Sequence, residues 1–333
     1  MIINNSIIMK NISKEAEKVL ETIKKYGPIR SNEIAKILEV SIKTVYKHLK
    51  KLKEEQLIKK TGKTPIVFYA ISDNYEDNLA TSSKDDQTIE QNYIYVSPSG
   101  EMLLGVKGFY AWCQKNKFDF EKEKKIFVKK FKLIQKIKRC GLISAKKSIL
   151  ANKESLGLDN IFFSDFYTVD HFGKTKLGQL VYLGKSSQNK ELIKEVSRLI
   201  RSAILDVIKK QNIKFVCFVP PTISRKVQFM DALRNSLKLN LPEIKAVKVP
   251  SETKVPQKTL RKLEDRIINA KNTIAVNPNQ AVGNVLIIDD ATGSGATMNE
   301  TAKKIRSIAK KKIKIIGYSV VGSFKGFDVI SEV

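Results

Sequence analysis

Two adjacent carboxylates followed at once by a run of small residues are the groups in this chain best suited to chemistry. They lie in Val285-Leu-Ile-Ile-Asp-Asp-Ala-Thr-Gly-Ser-Gly-Ala-Thr297. Ala291, Thr292, Gly293, Ser294, Gly295, Ala296 and Thr297 can turn backbone N–H groups and hydroxyls around an anion, which is the make-up of a phosphate cradle. Asp289 and Asp290 would flank the same pocket, so the order of acids and small residues reads as a sugar-phosphate site. No Gly-Lys-Ser/Thr follows the glycines, and the loop is therefore not a Walker A sequence.

The flanking residues predict how these groups are held. Four apolar residues in a row, Val285 to Ile288, suit a buried parallel strand. Thr297 fits an N-cap, with Glu300 three residues on and Ala302, Ile305 and Ile308 at helical spacing, so a bound phosphate would also face a helix N-terminus. A second apolar strand, Ile213-Lys-Phe-Val-Cys-Phe-Val, ends in Pro220-Pro221. Thr222, Ser224, Arg225 and Lys226 follow it, hydroxyls and cations at the strand end where ligands of open α/β sheets gather.

The acidic strand and glycine loop resemble the phosphoribosyl diphosphate (PRPP) motif of type I phosphoribosyltransferases, with Ser294-Gly-Ala-Thr297 in place of Thr-Gly-x-Thr. Pro256-Gln257, then Leu260, then Arg266-x-x-Asn269 lie between the two loops, and with them residues 177 to 323 resemble the ComF family of that fold. Members often carry a zinc ribbon in front, which this chain lacks. The resemblance implies an α/β domain with an open parallel sheet flanked by helices. It also implies roles: Asp289 and Asp290 on the ribose hydroxyls and on positive charge developing in the ring, and Ala291 to Thr297 on the 5'-phosphate. Thr222, Ser224, Arg225, Lys226 and Lys254 would receive the pyrophosphate, with Mg²⁺ accompanying PRPP. Nothing in the sequence specifies an acceptor.

The first 71 residues follow a different pattern. Residues 12 to 27 are predicted to be a helix with Ala16, Val19, Leu20 and Ile23 on one face, stopped by Gly27-Pro28. Ser31 is expected to cap a short second helix and Ser41 a third, Ile42 to Lys53, with Val45, Leu49 and Leu52 inward. Two strands across residues 59 to 71 complete a winged helix-turn-helix, and the segment resembles the DNA-binding domains of bacterial and archaeal regulators. Lys43, Thr44, Lys47 and Lys50 lie opposite the apolar stripe, facing a major groove, while Lys60 and Lys63 in the wing reach phosphates or a minor groove. Lysines without arginines favour phosphate contact over base reading.

Residues 72 to 92 are polar and acidic and predict a flexible linker. A hairpin, Tyr93 to Val96 and Met102 to Leu104, and a basic helix from Phe120 to Arg139 with Ile126, Phe127, Phe131, Ile134 and Ile137 buried, make up a middle region, residues 93 to 176. The last domain is placed at 177 to 333.

Charge and composition narrow the partners. Lys and Arg outnumber Asp and Glu 61 to 34, a net charge of +27, which favours a polyanion such as DNA. Three cysteines far apart and two histidines offer neither a disulfide framework nor a zinc ribbon. No membrane span and no leader are legible, so a cytoplasmic protein is expected, and a homodimer would match DNA symmetry. The sequence thus points to a DNA-binding regulator whose phosphoribosyltransferase-fold domain binds PRPP or a nucleotide. The alternatives are an active phosphoribosyltransferase and a ComF-like factor of DNA uptake or processing.

Overall fold

The structure, a computed structural model, describes residues 13–72, 83–146, 156–221, 223–249, 263–277 and 283–323. The chain divides into two compact units, Met1–Phe131 and Lys132–Val333.

The first unit opens with three helices, α1 (Lys14–Tyr26), α2 (Ser31–Leu38) and α3 (Ile42–Glu54), followed by strands β1 (Ile58–Lys63) and β2 (Ile66–Ile71). Apolar residues at helical spacing explain the packing: Ala16, Val19, Leu20 and Ile23 of α1 meet Ile34 of α2 and Val45, Leu49 and Leu52 of α3 in one buried cluster. Ser13 caps α1 and Ser41 caps α3, the latter accepting the Thr44 N–H at 3.1 Å. Helix α2 departs from expectation. Its N-cap is Arg30, whose N–H donates to Glu33 at 3.0 Å, so Ser31 is the first helical residue and not the cap. β1 and β2 pair antiparallel from Ile58↔Ile71 to Lys63↔Ile66 as the wing, and Ile29, between α1 and α2, makes an isolated antiparallel bridge to Tyr69.

Residues 84–92, expected as part of a flexible linker, form a helix instead, α4 (Lys84–Asn92). Ser83 and Asp86 make a reciprocal capping box, and Ile89 is buried. The hairpin of β3 (Ile94–Val96) and β4 (Met102–Leu104) forms as expected, and α5 (Gly105–Asn116) and α6 (Phe120–Ile137) follow. Tyr93, Phe109, Trp112 and Phe127 share an aromatic core with ring centroids 5.1–6.4 Å apart, Tyr93 meeting the other three edge-on. In α6, Phe127, Phe131 and Ile134 are buried as expected; Val128 joins them, while Ile137 is exposed and Ile126 only half-buried.

The second unit is built on a five-stranded sheet, in the spatial order Ile143–Ser144, Asn160–Phe166, Ile315–Gly322, Val285–Thr292 and Phe215–Phe218. Its strands are β5 (Ile143–Ser144), β6 (Asn160–Phe166), β7 (Phe215–Phe218), β10 (Val285–Thr292) and β11 (Ile315–Gly322). β6, β11, β10 and β7 run parallel, and β5 pairs antiparallel with β6, so the sheet is mixed and not wholly parallel. β5 and β6 come from the stretch expected to form the middle region. Every residue of β11 is buried, as are Val285 to Ile288 of β10. Helices α7 (Lys176–Ser186) and α8 (Lys190–Lys210) connect β6 to β7, crossing the two strands between them. Thr175 caps α7, accepting the Gly178 N–H at 3.0 Å and donating to the Phe166 carbonyl at 2.7 Å, which ties the helix start to the end of β6. Helix α9 (Phe229–Leu237) follows β7, α11 (Ala296–Ile308) joins β10 to β11, and α10 (Leu263–Thr273) lies in the chain between β8 (Ala246–Lys248) and β9 (Ile274–Val276), which pair antiparallel as a small ribbon.

Candidate functional site

β10 delivers the acid pair. Its apolar residues pair with β11 on one side and β7 on the other, so Asp289 and Asp290 emerge at the C-terminal end of an interior strand. The Asp290 N–H donates to an Asp289 carboxylate oxygen at 2.8 Å. The strand continues through Thr292 before Gly293 and Ser294 turn the chain into α11.

The helix starts earlier than Thr297. Gly295, at φ 67, is the N-cap of α11, and Thr297 is its second helical residue. Glycine adopts this left-handed conformation without strain, which lets the helix begin at Ala296 and brings the N–H groups of its first turn to the end of β10. Ser294 accepts the Ala296 N–H at 3.4 Å. Glu300 does not close a capping box; it is buried and ion-paired to Lys303 at 2.6 Å. Thr292 and Ser294 are buried in the cradle, and the Thr292 hydroxyl has no hydrogen-bond partner among the described residues. A buried hydroxyl left in that state beside an open helix N-terminus is suited to an anionic ligand.

Electrostatics separate the two acids. Burial, then the neighbouring Asp290 charge, pushes the Asp289 carboxyl up to about 7, against the opposing pull of the Asp290 N–H and of Lys185. Asp290 is paired instead: Lys185, in the last turn of α7, places its ammonium 3.0 Å from Asp290 Oδ2. Sequence reasoning does not find Lys185. It lies in no motif, and only the fold brings it to an acid more than a hundred residues away.

The loop after β7 lies beside the acids. The Val219 N–H donates to the Ile288 carbonyl at 2.9 Å, so Pro220 and Pro221 leave the sheet next to Asp289. Arg225 donates to the Lys185 carbonyl, and the Val227 N–H donates to Gln188 Oε1 at 2.9 Å. The β7 loop is thereby held on the junction of α7 and α8. Ser224 and Lys226 are exposed and Arg225 is half-buried. Thr222 and Lys254 lie outside the described residues, as do Pro256, Gln257 and Leu260.

In the first unit the candidate DNA face is made of exposed charge. Lys43, Lys47 and Lys50 of α3 and Lys60 of β1 are exposed; the Lys63 side chain lies outside what is described. Thr44 is half-buried, and its hydroxyl lies 2.8 Å from that of Ser41, so it belongs to the helix cap as well as to the face. Tyr46 is exposed and its hydroxyl accepts from Ser31 at 3.1 Å, tying α3 to the start of α2.

Among the described residues there is no helix long and apolar enough to cross a membrane, and no cluster of three His, Cys, Asp or Glu that could hold a metal ion. No curated protein matches the chain. A family model described as an HTH domain matches residues 15–65, and the PRTase-CE family model matches residues 175–333. The chain therefore joins a winged helix-turn-helix domain to a phosphoribosyltransferase-type domain of the PRTase-CE kind.

Proposed function

We propose that this protein is a DNA-binding regulator whose phosphoribosyltransferase-fold domain binds PRPP or a nucleotide and thereby alters DNA affinity. The observation that carries the ligand half is the acid pair at the end of β10 running directly into an anion-ready helix N-terminus. In this reading Gly293 to Thr297 hold the 5'-phosphate, with the Thr292 hydroxyl as a further donor. Asp289 and Asp290 take the ribose hydroxyls. Arg225 and Lys226 face the diphosphate from the β7 loop. Mg²⁺ binds through few carboxylates and several phosphate oxygens. Two adjacent acids suit an ion that takes its remaining ligands from the diphosphate. The architecture supports the regulatory half, because two distinct sites in one chain are the minimum for coupling.

A second reading, an active phosphoribosyltransferase, draws on Asp289. A carboxyl titrating near neutrality can exchange a proton with an acceptor while the anomeric carbon loses pyrophosphate and bonds the acceptor. Its neighbour Asp290, held by Lys185, would stabilise positive charge on the ring.

Calorimetric titration of PRPP with Mg²⁺ into the full chain tests the ligand site. The wild-type protein should bind, and Asp290→Asn should bind about tenfold more weakly, as expected for loss of a charged hydrogen-bond acceptor. An unchanged affinity in Asp290→Asn would remove the acid pair from the site.

A further inference from the structure

Lys185 joins the two halves of this site. Its ammonium lies 3.0 Å from Asp290, its carbonyl accepts from Arg225, and Gln188, just beyond the end of its helix, accepts the Val227 N–H at 2.9 Å. The end of α7 is thus tied by a side chain to the acid pair and by hydrogen bonds to the loop that carries Arg225 and Lys226. Both members of the ion pair are partly open to solvent, at 20% exposure for the lysine and 17% for the aspartate. The pair is therefore not sealed in, and a ligand can compete for either member. A lysine ammonium sits on a flexible four-carbon stem and behaves as a mobile point charge. A diphosphate offers it more charge and more acceptor oxygens than one carboxylate does. A sugar monophosphate held in the glycine loop offers only a neutral hydroxyl at this end of the site.

We propose that Lys185 sets the preference of this site for a 1-diphosphate over a plain sugar phosphate. It neutralises Asp290 in the ligand-free chain and passes to the diphosphate when one binds, which releases Asp290 to the ribose hydroxyls. The proposal rests on the sugar-phosphate reading above. It makes Lys185 a specificity residue, and it gives the ligand-free site a charge balance that does not depend on a metal ion.

The test compares two ligands on the same full-length variants by calorimetry at pH 8 with Mg²⁺: PRPP and ribose 5-phosphate. Lys185→Met should lose about tenfold or more in PRPP affinity, the scale of one charged hydrogen bond. Its ribose 5-phosphate affinity should stay within about threefold or rise, because Asp290 no longer has a competing partner. Lys185→Arg should keep most of the preference. Equal weakening of both ligands in Lys185→Met would show that the lysine only supports the acid pair, and an unchanged PRPP affinity would show that it does not reach the diphosphate; either result overturns the proposal. Retained ribose 5-phosphate binding also reports that the variant is folded. If the wild-type protein binds neither ligand, the sugar-phosphate reading itself falls. If the wild type prefers PRPP and Lys185→Met keeps that preference, only the role of Lys185 falls.

Discussion

The end of β10 and the outer face of α3 are both read as anion sites, yet they are built in opposite ways. At β10 the polar groups are partly or wholly buried: Thr292 and Ser294 are enclosed, Asp289 is half-buried with a displaced titration, and Asp290 is ion-paired to Lys185. On α3 the candidate groups are lysines in water on a helix whose other face, Val45, Leu49 and Leu52, does the packing. A buried site can be selective because its unpaired groups are costly until a ligand satisfies them. An exposed lysine face costs the fold almost nothing and delivers charge without fixed geometry. In the proposed function the second unit therefore selects a small molecule and the first attracts phosphates.

The contrast should be sharpest in stability. Ile287 is fully buried in β10, and Ile287→Ala should destabilise the second unit by about 2–5 kcal/mol in chemical denaturation. Lys47→Ala should move the unfolding of the first unit by no more than about 0.5 kcal/mol. A large loss of stability at Lys47 would mean that α3 uses its lysine face for packing.

A smaller effect is expected from pH. Burial and the adjacent Asp290 charge push the Asp289 carboxyl up to about 7 in the folded chain, from an ordinary value of 3.8. The folded state therefore holds a proton that the unfolded state has shed, and this group's contribution to stability declines as pH rises from about 3.8 to about 7. PRPP binding should show the opposite sign. If the ribose hydroxyls need the carboxylate as acceptor, affinity rises by up to about tenfold per pH unit below 7 and levels off above it. A calorimetric series from pH 5.5 to 8.5 checks this, and Asp289→Asn should flatten the profile. A flat profile in the wild type would place Asp289 outside the binding step.

The smallest effect belongs to α3. Lys43→Ala combined with Lys47→Ala should make the salt dependence of duplex binding shallower by about 1.8 in log–log slope, close to 0.9 for each phosphate no longer neutralised. Fluorescence anisotropy across a salt series measures it. An unchanged slope would take these lysines off the DNA.

Legibility in the sequence follows the same divide between local and distant causes. The acid pair and its glycine loop are readable because Val285 to Thr297 is one contiguous segment, and the winged helix is readable because Val45, Leu49 and Leu52 repeat at helical spacing behind the Ser41 cap. β6 escapes such reading because its apolar run is broken by Ser164 and Asp165. Those polar groups have distant partners that the local sequence does not announce, Tyr318 at 2.6 Å from Ser164 and Lys138 at 3.3 Å from Asp165, beside the local Phe166 N–H that donates to Asp165 at 2.9 Å. Helix α4 buries few apolar residues and so resembles linker, although Ser83 and Asp86 spell out its capping box. At the start of α11, threonine is the more usual cap and draws the expected boundary to Thr297. Gly295 takes that role through its backbone, which leaves no side-chain signature. Lys185 has no local signal at all.

Binding of the full chain to duplex fragments flanking its own gene, measured at fixed salt with and without PRPP and Mg²⁺, tests the central claim most directly. A ligand-coupled regulator should prefer particular fragments and show an affinity that PRPP shifts several-fold or more, with the shift abolished in Asp290→Asn. Salt-sensitive binding that is equal across fragments and indifferent to PRPP would contradict a regulator and favour a phosphoribosyltransferase whose winged helix serves another end.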